Sequence, residues 1–449
     1  MTEATKTNIK QLRMMLILTV VSGAIAASAF LFDSPRDIWR GFLTILVSPA
    51  PLITDYLALG GVGAAFLNAG MMALLSLVLI ARTGTRPTGA MMAAVFILIG
   101  FSFFGKNAIS SAPIILGVYL YSRLSKVRFR QNVLVALFST ALGPLVSTVM
   151  FGVGLPAPAG VPLGLLTGVL VGLIMPPLAA AFIRFHQGYS LYNVGFTAGM
   201  VGLVAIGFLR SFGITFDRQQ LIFGGDHVAF ALWLGLFFVS LAVFGVFTHR
   251  RLIRLAVIAG RREAERRPDS LLQRYRLLMA NPGRLVADFP NLYGVGVTFL
   301  NMGVTGLLAL AYVLAVGGNL SGPVIGGLFT VCGFAAFGKH PRNVLPIIAG
   351  VFVLNLLSGH SYNSTLAILA ALFGTTLAPI AGQFGIIAGV LAGMTHMAIV
   401  SSVGALHAGV NLYNQGFAGG FVAEFFVPLL ELLARKSPLT ALFNKWPRK

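Results

Sequence analysis

The strongest constraint on this chain is that it contains one stretch twice. Gly61-Val-Gly-Ala-Ala-Phe-Leu-Asn-Ala-Gly70 aligns without a gap on Gly294-Val-Gly-Val-Thr-Phe-Leu-Asn-Met-Gly303, an offset of 233 residues. The same offset carries Gly100-Phe-Ser-Phe-Phe-Gly-Lys106 onto Gly333-Phe-Ala-Ala-Phe-Gly-Lys339, Pro113-Ile-Ile-Leu-Gly-Val118 onto Pro346-Ile-Ile-Ala-Gly-Val351, Pro49 onto Pro282 and Asp55 onto Asp288. A second block repeats at an offset of 221: Gly164, Gly168 and Gly172 fall on Gly385, Gly389 and Gly393, and the segment His186 to Phe196 falls on His407 to Phe417. The second copy is therefore shorter between the blocks by about a dozen residues. Two copies of one unit, 48–212 and 281–433, fix the architecture before any finer reading. Around them lie an N-terminal portion, 1–47, a connector, 213–280, and a basic tail, 434–449.

Composition decides what the unit is made of. With 57% hydrophobic and 10% charged residues and a mean hydropathy of +0.88, the chain carries more apolar surface than a water-soluble fold can bury, and reads as a polytopic membrane protein. The apolar runs are continuous rather than alternating, which excludes a β-barrel, and the 53 glycines suit helices packed closely in lipid. The fold class is all-α. One cysteine, Cys332, excludes an intramolecular disulfide and a thiolate metal site.

Lys6, Lys10 and Arg13 precede the apolar run 14–32, read as an uncleaved first helix with its N-terminus inside. The segment 38–52, broken by Pro49 and Pro51, lies at the interface or re-enters the membrane. The first unit offers runs at 57–81, 88–104, 108–122, 133–153, 161–183 and 188–209; a connecting helix follows at 229–248. The second unit offers 290–314, 321–337, 343–357, 364–381, 384–404 and 409–433. These are about six helices per unit, fourteen runs in all, with those containing Pro113 and Pro346 short enough to be re-entrant.

Lys and Arg concentrate in cytoplasmic loops. Threading from an inside N-terminus places 27 of the 32 Lys and Arg residues inside, including the arginines from Arg250 to Arg284 and the basic tail. The net charge of +20 is thereby explained by topology, without nucleic acid. Both termini fall on the cytoplasmic side of a bacterial inner membrane. The first unit enters from outside and the second from inside, so the repeats are inverted, a plan in which transporters place the solute pathway between the copies.

Candidate pathway residues follow from the repeats. Asn68 and Asn301 sit at matching depth, and their amides offer a carbonyl acceptor and two donors to a small polar solute; the alternative is an interhelical hydrogen bond. Tyr192-Asn193 and Tyr413-Asn414, each followed by glycines, line a pathway or pack helices closely. Lys106 and Lys339 begin short proline-containing helices, where a cation at each mouth attracts an anion or the acceptor end of a solute, or snorkels to the interface. Their Gly-x-x-x-x-Gly-Lys spacing lacks the Ser or Thr of a phosphate-binding loop, so no nucleotide site is expected. Glu424 is the one carboxylate well inside an apolar run, a proton-coupling candidate opposite an apolar counterpart, Leu203. Asp55 and Asp288 recur at helix starts, where an acid caps free N–H groups. The seven histidines show no metal-binding spacing, no cofactor motif is present, and no catalytic constellation suggests an enzyme.

The motif Leu191-Tyr-Asn-Val-Gly-Phe-Thr-Ala-Gly199 and its copy, Leu412 to Gly420, resemble the urea transporter family, whose two inverted halves carry comparable glycine-rich helices bearing Asn, followed by proline-containing pore segments. Over its whole length the chain is similar to a bacterial multi-pass membrane family with a domain of unknown function. The expectation is a transporter or channel for a small polar solute, partnered by the lipid bilayer and open to homo-oligomerisation. The alternatives are a proton-coupled carrier for a small anion and a membrane scaffold or sensor using the Arg-rich loop.

Overall fold

A computed structural model describes residues 3–50, 54–214, 221–225, 227–258, 270–404 and 406–436. Much of the Arg-rich loop and nearly all of the basic tail lie outside them. The described residues are helical, and ten stretches among them are long and apolar enough to cross a membrane. The protein is a polytopic all-α membrane protein.

Two helices, α1 (Glu3–Ala27) and α2 (Pro35–Val47), precede the first copy, which opens with the short α3 (Tyr56–Gly60) and the long α4 (Val62–Thr83). They are followed by α5 (Gly89–Phe101), α6 (Ala108–Leu124), α7 (Val133–Ser139), α8 (Gly143–Phe151), α9 (Ala157–Phe182) and α10 (Asn193–Ser211). The connector holds α11 (His227–Ile258) and α12 (Leu271–Met279). The second copy repeats the order with α13 (Phe289–Leu292), α14 (Val295–Ala315), α15 (Gly322–Phe334), α16 (Pro341–Leu357), α17 (Thr365–Gly374), α18 (Ala378–Phe384), α19 (Ile386–Val403) and α20 (Asn414–Lys436). The shortening of the second copy falls at the turn between α18 and α19: α9 has 26 residues and its counterpart α19 has 18.

The fourteen expected runs thus resolve into ten crossing stretches and four shorter helices, α5, α6, α15 and α16. At 13 residues each, α5 and α15 rise about 20 Å, against the roughly 30 Å of a bilayer core. Each leads into a turn inside the bundle: Ser102, Lys106 and Asn107 in the first, Lys339 and His340 in the second, are all buried. A positive φ of 76° at Gly105 and 119° at Gly338 lets the chain reverse there without a Cβ clash.

The equivalent helices α5 and α15 pack on one another in opposite directions. Gly100 lies on Gly326, Phe96 on Gly333 and Gly89 on Ala336, so residue numbers rise along one helix as they fall along the other. A Cβ at Gly100 would stand 2.6 Å from the Gly326 carbonyl oxygen, which is why this crossing is built from glycine.

Two of the crossing stretches are broken. In 133–151, α7 gives way to a 3₁₀ turn, Thr140–Leu142, before α8; in 365–384, α17 gives way to Thr375–Leu377 before α18. Proline explains both breaks. Pro144 and Pro379 lack the N–H that would bond four residues back, to Thr140 and Thr375, and their rings crowd those carbonyls. The next carbonyls are taken by the opposite copy: Leu412 N donates to Ala141 O at 3.1 Å, and Leu191 N donates to Thr376 O at 3.0 Å.

Asp55 caps its own helix start as expected, Asp288 makes no such cap, and both acids also reach the other copy. The Asp55 carboxylate accepts from Gly322 N, the first residue of α15, at 2.9 Å, and also from Phe223 N and from Leu57 N beside it. Asp288 accepts from Gly89 N, the first residue of α5, at 3.0 Å. Burial pushes the Asp55 carboxyl above its ordinary value, against backbone hydrogen bonds that favour the charged form.

The outer faces are those a bilayer requires. Along α11, Val228, Leu232, Leu236, Val239, Val243 and Phe247 are exposed at helical spacing, while Phe230, Leu234, Phe238 and Leu241 are buried against the bundle.

Candidate functional site

The two buried turns, the two helix breaks and the starts of α10 and α20 converge on one region, and two lysines occupy it. Lys106 and Lys339 are both 0% exposed. Neither stands at a mouth or snorkels to an interface. Lys339 Nζ donates to Tyr192 OH at 2.5 Å and to Thr375 Oγ1 at 2.7 Å, and sits over the rings of Tyr192 and Phe334. Lys106 Nζ lies 5.3 Å from the centroid of Phe101, the counterpart of Phe334. The Phe101 ring in turn packs edge-on against Tyr413 with centroids 4.7 Å apart, and Tyr413 lies 5.6 Å from Tyr192. Lys106 Nζ and Tyr413 OH have no hydrogen-bond partner among the described residues. Neither lysine is matched by a carboxylate among the described residues, and a buried unpaired charge is costly unless something compensates it.

Asn68 and Asn301 position these lysines. Each lies in the second turn of its helix, earlier than midway, because α4 and α14 begin at Val62 and Val295, after the short α3 and α13. Asn68 Nδ2 donates to Ser102 O at 2.7 Å and Lys106 O at 2.9 Å; Asn301 Nδ2 donates to Ala335 O at 2.8 Å and Lys339 O at 2.7 Å. The same two bonds in both copies hold each buried turn onto the long helix. Asn68 Oδ1 has no partner, whereas Asn301 Oδ1 meets Thr305 Oγ1 at 3.4 Å.

Asn193 and Asn414 are the first residues of α10 and α20, where the run lengths had suggested helices already under way. The segments before them are buried loops. Asn193 Oδ1 bonds His186 Nε2 at 2.9 Å and its Nδ2 donates to Ala179 O at 3.0 Å; Asn414 Oδ1 bonds His407 Nε2 at 2.8 Å. Each amide therefore closes a loop seven residues long. Their neighbours Tyr192 and Tyr413 do reach the lysine region. The glycines that follow allow the helices to cross: Gly195 lies on Tyr413 and Gly416 on Tyr192.

Glu424 lies on α20, partly exposed, with Oε2 buried and without a partner. A cavity of about 440 Å³ lies between α4, α5, α6 and α7. Its lining is apolar apart from Ser76, Ser111 and Tyr119, and it reaches Ala108, two residues beyond Lys106.

Thr375, Phe101 and Phe334 complete the lysine surroundings. The phenylalanines were legible as an aligned pair beside each lysine. Thr140-Ala-Leu-Gly-Pro144 and Thr375-Thr-Leu-Ala-Pro379 carry the signal for the breaks, a proline four residues past a threonine within an apolar run.

The class defined by this fold is a membrane-embedded, internally duplicated helical protein with broken helices around a buried pair of lysines. Residues 34–211 and 267–432 match the family described as "Protein of unknown function (DUF1576)", and the chain belongs to it. Each matched segment covers one copy of the repeat to within a residue. No curated protein and no solved structure gives a significant match.

Proposed function

We propose that the protein is an inverted-repeat transporter of a small anion in the bacterial inner membrane, with both termini cytoplasmic. The observation that carries this reading is the pair of fully buried lysines, Lys106 and Lys339, without carboxylate partners. A lysine inside an apolar bundle can hold its proton when a negative ligand arrives to pair with it, and so marks the path of an anion more readily than that of a neutral solute. The antiparallel packing of α5 and α15 supports inversion. So does the topology, in which five crossing stretches separate the start of α4 from the start of α14. Whether α5–α6 and α15–α16 cross fully or turn back, each pair returns the chain to the same side. Broken helices around a shared site are the usual means by which such proteins bind a solute within the bilayer.

A neutral polar solute is less well served, because the amide nitrogens of Asn68 and Asn301 are already committed to carbonyls. Glu424, with a buried carboxylate oxygen lacking a partner, is the residue proposed for proton coupling.

Proteoliposomes carrying purified protein should take up small anions, acetate and nitrate among them, faster than empty liposomes. Lys339→Met should reduce that flux at least tenfold. Equal rates with and without protein, or flux confined to urea and other neutral solutes, would overturn the anion reading.

A further inference from the structure

Resting on that reading, we infer that the binding position is the first-copy half of the centre, Lys106 with Tyr413, and that its ligand is a small monocarboxylate. The second-copy half shows what a lysine of these buried turns looks like with its bonds made: Lys339 on Tyr192 OH and Thr375 Oγ1. The residues of the first-copy half that align with these are Tyr413 and Thr140, yet Lys106 Nζ and Tyr413 OH, both buried against Phe101, have no partner among the described residues.

The two halves differ in their hydroxyls. Ser102 in the first buried turn and Ser139 at the first helix break are buried with no partner; their counterparts are Ala335 and Gly374. Apolar residues in one copy are thus hydroxyl donors in the other. Buried polar atoms ordinarily find partners, so several orphans on the elements around one ammonium define a ligand position.

One ammonium suits one negative charge. A separate phenol donor and rotatable hydroxyls suit a ligand with two acceptor oxygens, which a carboxylate offers and a halide does not.

The test is isothermal titration of the purified full chain in detergent with acetate, with acetamide as the uncharged ligand of the same shape, and with chloride. Acetate should bind one per chain, with acetamide and chloride at least tenfold weaker. Lys106→Met and Tyr413→Phe should each weaken acetate at least tenfold, and Tyr192→Phe less than threefold; Tyr413→Phe keeps the ring, so its folding is secure. Ser102→Ala should weaken acetate about threefold. Acetate affinity unchanged in Tyr413→Phe, or matched by acetamide or chloride, overturns the site. Binding that depends on Lys106 without any flux in liposomes upholds the site while removing the transport reading. Acetate flux indifferent to Lys106→Met removes the site and leaves transport standing.

Discussion

At the scale of single residues, the centre is organised by what each polar atom already has. Asn68 and Asn301 spend both amide hydrogens on backbone carbonyls of the buried turns, and this makes them positioning residues. Removing the side chain strands two carbonyls in an apolar interior, at a cost of about 1–3 kcal/mol for each group left unsatisfied. Asn68→Ala and Asn301→Ala should therefore both lower the melting temperature in detergent, along with any flux. A variant that melts as wild type while losing flux would show that the amide faces the solute instead. The pairing of these residues was legible from their repetition, whereas their hydrogen-bond partners were not. An amide in an apolar helix has the same sequence signature whether it meets a ligand or a carbonyl 34 residues further on.

At the scale of elements, the duplication gave a correct register for the long helices, and hydropathy located the stretches that cross. What hydropathy cannot see is a change of hydrogen-bond pattern inside an apolar run, so the breaks at Thr140–Leu142 and Thr375–Leu377 looked like unbroken spans. The same limit moved the starts of α10 and α20 too early. Nor does the offset disclose partners: it pairs Asp55 with Asp288, while the atoms that bond Asp55 belong to Leu57, Phe223 and Gly322. The glycine contact between α5 and α15 is an element-level commitment that can be tested. The methyl of Gly100→Ala meets the Gly326 carbonyl oxygen at 2.6 Å, a backbone atom that cannot turn aside, and overpacking of this kind costs about 1–3 kcal/mol. Thermal unfolding of purified Gly100→Ala should fall accordingly; an unchanged transition would mean that the helices can separate freely.

At the scale of the whole molecule, inversion makes a prediction at two equivalent exposed positions, Arg86 after α4 and Asn319 after α14. With Cys332 replaced by Ala, a cysteine at Asn319 should react with an impermeant maleimide added to intact cells, and a cysteine at Arg86 only after permeabilisation. Labelling of both from the same side would refute the inverted arrangement. The reciprocal caps carry a consequence of another kind. Asp55 takes the first N–H of α15 and Asp288 the first N–H of α5, so each copy borrows a helix cap from the other. A lone ancestral unit would have had those N–H groups open until a second unit arrived to fill them. The bonds that now join two halves of one chain are those that would once have joined two subunits. Gene fusion would then have preserved the contact while freeing each side to diverge, as Ser102 and Ala335 have done.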